Sequence, residues 1–193
     1  MNMCYTLDEL NLEIRTCRKC KSMTLGQKRV LGVGNANPLV FFLGEAPGRF
    51  GADQTGVPFT RDRSGRLFRD LIASVHLSHV NDVYISNMVK CNPRDEQGRN
   101  RRPSREEITC CRKYLQAELK LIRAKVLVPL GTLASWEVLG FRRPMQEINA
   151  KEHHNEDYGL VFPLYHPGYI LRGNYSINCY REDFKRLKNL ALS

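Results

Sequence analysis

Apolar residues fall along this chain in two kinds of run. Short unbroken runs occur at Val40-Phe41-Phe42-Leu43, at Val83-Tyr84-Ile85, over 126–130 and over 160–164. Runs of that length, with no polar alternation, predict strands buried on both faces of a parallel sheet. Between them, apolar residues recur at helical spacing: Leu7, Leu10 and Ile14; Leu67, Phe68, Leu71, Ile72 and Val75; Leu115, Leu119 and Ile122. These predict helices over 6–17, over 64–75 and from 104 to about 123. A short helix is expected after Gly131-Thr132 as far as Leu139, and a last one over 176–190. Two helix starts carry a capping box, Thr6 with Glu9 and Ser104 with Glu107. The stretches 21–38 and 141–158 lack clear patterning, and 92–103 is a long arginine-rich loop.

Strands alternating with helices predict a single-domain, doubly wound α/β/α sandwich around a central, mostly parallel four-stranded sheet. Three polar segments fall just after strands: Gly44-Glu45-Ala46-Pro47-Gly48 with its continuation to Phe59, Asn87, and His166-Pro167-Gly168. In an open α/β sheet such positions converge at the carboxyl ends of the strands, where ligands bind.

A length of 193 residues suits one domain, 1–193, with an adequate core. No run approaches the ~20 apolar residues needed to span a bilayer. The first 13 residues lack a basic n-region and an apolar h-region, so a cytoplasmic protein is expected. The net charge of +10 is clustered in Arg61, Arg63, Arg66 and Arg69, and again in Arg94, Arg99, Arg101, Arg102 and Arg105. Such stripes point to a nucleic-acid partner. Seven cysteines in a reducing compartment favour metal ligation over disulfides. Cys17-x-x-Cys20 follows a helix rather than opening one after a strand, which favours ligation over redox chemistry. With Cys91 and either Cys110 or Cys111, four thiolates suit zinc or an iron–sulfur cluster.

The chain resembles the iron–sulfur uracil-DNA glycosylases of the family 4/family 5 type. The resemblance rests on Cys17-x-x-Cys20, Gly44-Glu45-Ala46-Pro47-Gly48, Gly56-x-Pro58-Phe59, Asn87 to Pro93, Cys111-x-x-Tyr114-Leu115, Gly131-Thr132 and His166-Pro167-x-x-x-Leu171-Arg172, in family order. It implies a uracil-DNA glycosylase-like fold, base-excision activity in a prokaryotic, nucleoid-associated setting, and DNA, single- or double-stranded, as partner. It further implies a monomer, with a sliding clamp and other repair proteins as candidate partners. It also implies a [4Fe–4S] cluster on Cys17, Cys20, Cys91 and Cys111, with zinc as the alternative, held by a portion formed from 17–20 and 91–111. Cys110 is then left as a buried thiol.

The residues suit that chemistry. A glycosylase extrudes its base into a pocket and reads the Watson–Crick edge. The Asn87 amide can accept from uracil N3–H and donate to O4, a pattern cytosine reverses. Phe59 is expected to stack on the base, backbone near Gly44, Glu45 and Ala46 to line the pocket, and Glu45 to limit what fits at C5. His166 is expected to donate to uracil O2 as negative charge develops there. Two acids compete to activate the water. Asp62 matches the family 5 pattern Phe59-Thr60-x-Asp62-x-Ser64-Gly65, whereas Asp53 is the first acid after the glycine loop, which is one residue longer than in family 4. Arg94, Arg99, Arg101, Arg102 and Arg172 are expected to hold DNA, with Tyr169, Ile170 or Leu171 as an apolar wedge. No histidine lies between Cys91 and Cys111, so no covalent capture of the abasic sugar is expected. A non-catalytic nucleic-acid-binding protein on the same fold is the rival reading. A nucleotide-binding enzyme is disfavoured by the lack of a Gly-x-x-x-x-Gly-Lys-Ser/Thr loop after a strand.

Overall fold

The computed structural model describes residues 6–20 and 28–193. Strand β2 (Val40–Gly44), every residue of it buried, lies between β3 (Val83–Asn87) and β4 (Val126–Pro129) and runs parallel to both. Strand β6 (Gly159–Val161) continues the parallel sheet beyond β4. These four are the expected central strands. Two short antiparallel edges were not expected: β1 (Val33–Gly34) against β3, and β5 (His153–Asn155) against β6. The full order is β1-β3-β2-β4-β6-β5. Part of the stretch 21–38, residues 21–27, lies outside the described residues.

Helices cover both faces. Alternate β2 residues point opposite ways, as a period of two requires. Phe42 packs with Phe68, Leu71 and Ile72 of α3 (Arg63–Ser74) and with Tyr180, Phe184 and Leu187 of the last helix (Ile177–Leu192). Phe41 and Leu43 pack with Leu115 of α4 (Arg105–Leu121) and with Ala134 and Val138 of α5 (Thr132–Leu139). A smaller cluster joins Leu10 and Ile14 of α1 (Leu7–Thr16) to Cys111 and Tyr114 of α4. Both capping boxes form, at Thr6/Glu9 and at Ser104/Glu107.

Two one-turn helices interrupt stretches expected to be irregular. One is α2 (Ala52–Thr55), bracketed by Gly51 and Gly56, and the other is α6 (Met145–Ile148), behind Pro144. A five-residue helix, α7 (Pro167–Leu171), follows His166, and the last helix is therefore α8. No helix among the described residues is long and apolar enough to cross a membrane.

Candidate active site

The carboxyl ends of β2, β3 and β4 open on a cavity of about 740 Å³, whose wall includes Glu45, Ala46, Phe59, Asp62, Asn87 and His166. Gly44 pairs with Asn87 across the parallel ladder. A Cβ at Gly44 would lie 2.3 Å from Asn87 Oδ1 and 2.8 Å from the Phe59 ring. Only glycine lets those two side chains close on the strand end from either side.

Asn87 is buried as the last residue of β3, and among the described residues its side-chain amide has no hydrogen-bond partner. The amide borders the cavity, where a bound group can meet it. Its backbone is fixed from behind. Lys90 Nζ donates to Asn87 O at 2.8 Å, to Ser86 Oγ at 2.8 Å and to Glu118 Oε2 at 2.5 Å, all fully buried. The sequence offered no warning of Glu118, which comes from mid-helix α4 and accepts from Ser86 Oγ as well as from Lys90.

Phe59 has a positive φ of 49°, rare for an aromatic residue and costly enough to need support. Arg69 supplies it, donating from Nε to Phe59 O at 2.8 Å and from Nη2 to Pro58 O at 3.1 Å. Gly65 supplies room, since a Cβ there would lie 2.6 Å from the Phe59 carbonyl carbon. The ring rests on Phe68 at 4.4 Å and stands 5.8 Å from the His166 ring.

The two candidate carboxylates separate cleanly. Asp62 is the N-cap of α3: Oδ1 accepts from Gly65 N at 2.7 Å, and the side chain borders the cavity. Its Oδ2 faces the glycine loop, where a Cβ at Gly51 would come within 2.4 Å of it. Asp53 is absent from the cavity wall. It is buried on α2, where its carboxylate is paired with Arg94. Of the two acids expected to compete for the water, Asp62 is the one at the cavity wall.

His166 caps α7, and its Nδ1 accepts from Gly168 N at 3.0 Å. The neutral ring therefore carries its proton on Nε2. Burial lowers its pKa to about 4, opposed by the nearby Asp62 carboxylate and reinforced by the Arg172 charge. Burial likewise raises the pKa of Glu45, with Arg102 acting against it.

Several expected DNA contacts are otherwise engaged. Arg94 is committed to Asp53, and Arg101 forms a two-pronged pair with Glu107 at 2.8 Å for each bond. Arg99 pairs with Asp95 at the surface, while Arg102 is exposed at the cavity rim. Ile170 is only 7% exposed and belongs to the core, so it cannot be the wedge; Leu171 is 37% exposed beside Arg172. Tyr169 lines the cavity and stacks on Tyr165 at 4.7 Å.

Cys17, Cys20, Cys91, Cys110 and Cys111 gather between α1, α4 and the end of β3. Cys20, Cys91 and Cys111 line one small cavity, and Cys17 packs in the same cluster as Tyr114. The thiols of Cys20 and Cys91 are pushed up to about 12, first by burial and then by Cys111. Among the described residues no three side chains are spaced to hold a single metal ion. Cys110 is half-buried beside Cys20 rather than buried, as expected from the resemblance.

Comparison with known proteins agrees with the geometry. The family model described as "Uracil DNA glycosylase superfamily" matches residues 31–188. The type-4 uracil-DNA glycosylase of Archaeoglobus fulgidus is 34% identical, over 96% of this chain and 94% of that protein. That of Thermotoga maritima is 34% identical, over 96% of each. A type-5 uracil-DNA glycosylase of Pyrobaculum aerophilum is 28% identical, over 85% of this chain and 76% of that protein. The chain belongs to the uracil DNA glycosylase superfamily.

Proposed function

We propose that the chain is a monofunctional uracil-DNA glycosylase, which flips uracil out of DNA and hydrolyses its N-glycosidic bond to leave an abasic site. The observation that carries this reading is the unengaged Asn87 amide, buried beside Phe59 at the end of the parallel strands. An amide so held offers an acceptor to uracil N3–H and a donor to O4, while Phe59 takes the face of the base.

Bond cleavage leaves the electron pair on uracil and positive charge on the sugar, as in other oxocarbenium-like glycosidic reactions. The Nε2–H of neutral His166 donates to O2 as its charge grows, an interaction stronger in the transition state than in the ground state. Asp62 orients a water toward C1′ and takes its proton as the new C–O bond forms. The released uracil anion is protonated by solvent.

The second part of the reading is a [4Fe–4S] cluster held by Cys17, Cys20, Cys91 and Cys111. Thiols that ring a cavity, rather than converge on a point, favour a cluster over a lone zinc ion. When bound, such a cluster supplies positive charge to four thiolates and joins α1 to α4. The partner is DNA, on which the chain acts as a monomer in the cytoplasm; a sliding clamp and other repair proteins are candidate partners, tested by pull-down.

Uracil release from a single-stranded oligonucleotide tests the activity, and no release by pure anaerobically prepared protein overturns it. Iron and sulfide analysis with the visible spectrum tests the cofactor: Cys111→Ser should lose the chromophore and Cys110→Ser keep it. A colourless protein containing zinc overturns the cluster.

A further inference from the structure

Outside the base cavity, a second groove starts where the first ends. Asp62, Ser64 and Arg172 border both. Beyond them the groove is lined by Arg61, Arg63, Arg66, Leu171 and Phe50. Phe50 is 68% exposed, the second most exposed large apolar side chain among the described residues.

The ring is held in place. The Arg49 guanidinium lies 5.1 Å from its centroid, a cation–π contact. Arg49 is itself pinned: its N–H donates to Asn100 Oδ1 at 3.0 Å and its Nη1 to Gly98 O at 2.7 Å. The three groove arginines are exposed, and among the described residues none pairs with a carboxylate. An aromatic face beside a row of unpaired guanidiniums is the pattern that binds single-stranded nucleic acid, stacking a base while cations track the phosphates.

We propose that this groove is a subsite for an unpaired nucleotide flanking the extruded one, with its base stacked on Phe50 and its phosphates on Arg61, Arg63 and Arg66. The groove's continuity with the base cavity through Asp62 and Arg172 favours the substrate strand over a separate acidic partner. The inference rests on the cavity being the uracil pocket. A base stacked on Phe50 has left its complement, so the subsite favours single strands over duplex.

The test uses the full chain and oligonucleotides with 2-aminopurine on one side or the other of the uracil. Asp62→Asn slows excision so that the complex can be observed. Binding of a single strand should quench the 2-aminopurine on one side, and Phe50→Ala in the same background should restore its emission. Phe50→Ala alone should weaken single-strand binding about tenfold (~1.4 kcal/mol) and leave duplex binding unchanged, with Phe50→Tyr close to the parent. Quenching that survives Phe50→Ala, no quenching on either side, or equal loss with single strand and duplex overturns the subsite. Parental uracil release alongside any of these results leaves the glycosylase reading intact, whereas no release by the parent overturns that reading instead.

Discussion

Residues 61–69 and 94–105 carry four and five arginines, and in composition they look alike. The structure uses them differently. In the first segment Arg61, Arg63 and Arg66 are exposed, and only Arg69 turns inward, to hold the Phe59 and Pro58 carbonyls. In the second, Arg94 is committed to Asp53, Arg101 to Glu107 and Arg99 to Asp95. The first segment presents charge, while the second spends most of its charge folding a loop. The acids divide in parallel: Asp62 caps a helix at the cavity edge, whereas Asp53 is a buried carboxylate neutralised by Arg94. Charge density along a sequence therefore says little about field at a surface until the partners are counted.

The comparison breaks most readily at its acids. Asp62→Asn should slow single-turnover uracil excision by about 10³-fold, the loss expected of a general base, with little change in melting temperature because Asn also caps helices. Asp53→Asn should do the opposite, costing about 2 kcal/mol of stability by chemical denaturation and less than tenfold in rate. Exchanged outcomes would return the water to Asp53.

Asn87 and His166, the two groups proposed to meet the base, should give the next largest effects. Asn87→Ala should reduce excision by about 10²-fold with binding of uracil-free DNA unchanged; equal loss in both assays would remove its reading role. His166→Ala should cost a similar factor, as removal of a transition-state donor does, roughly 10²-fold in kcat.

The pH dependence of His166 has a definite sign. Its folded pKa of about 4 lies below the ordinary 6.5, so the imidazole stays neutral and able to donate from pH 8 down to about 5. Between pH 6.5 and about 4 the unfolded chain binds the extra proton, so stability should fall as pH drops through that window. Urea denaturation at several pH values measures this, and His166→Asn should flatten the dependence. An acid limb of activity centred near 6.5 would contradict a neutral donor.

The smallest effect separates the two basic segments themselves. Arg66→Gln should lower the slope of log affinity against log salt by about one. Arg101→Gln should leave the slope unchanged and lower stability instead. The same change in slope for both variants would show that the two segments meet phosphates alike.

Much of this was legible in the sequence. The unbroken apolar runs marked all four parallel strands, because burial on both faces leaves no alternation to misread. The capping boxes at Thr6 and Ser104 marked two helix starts. Edge strands β1 and β5, of two and three residues, were too short to carry any period. Helices α2 and α6 are single turns, set by Gly51 and Pro144 rather than by an apolar face. In the site, Asn87, Phe59 and His166 were found because they sit at strand ends or in motifs. The pairing of Arg94 with Asp53, 41 positions apart, and of Lys90 with Glu118, 28 apart, was not legible. Such pairs are consequences of tertiary closure, and nothing local encodes them.

Gly44 carries one further consequence, for how such a pocket can change. The gap between Asn87 and Phe59 is set by a missing methyl group on the strand between them. Any side chain at position 44 would push apart Asn87, the proposed reader of the base edge, and Phe59, the proposed platform for its face, together. Discrimination at the edge and at the face is therefore not separately adjustable from that position. New base preferences on this scaffold should arise at the rim, through Glu45, Tyr169 or the α6 turn, while position 44 stays fixed.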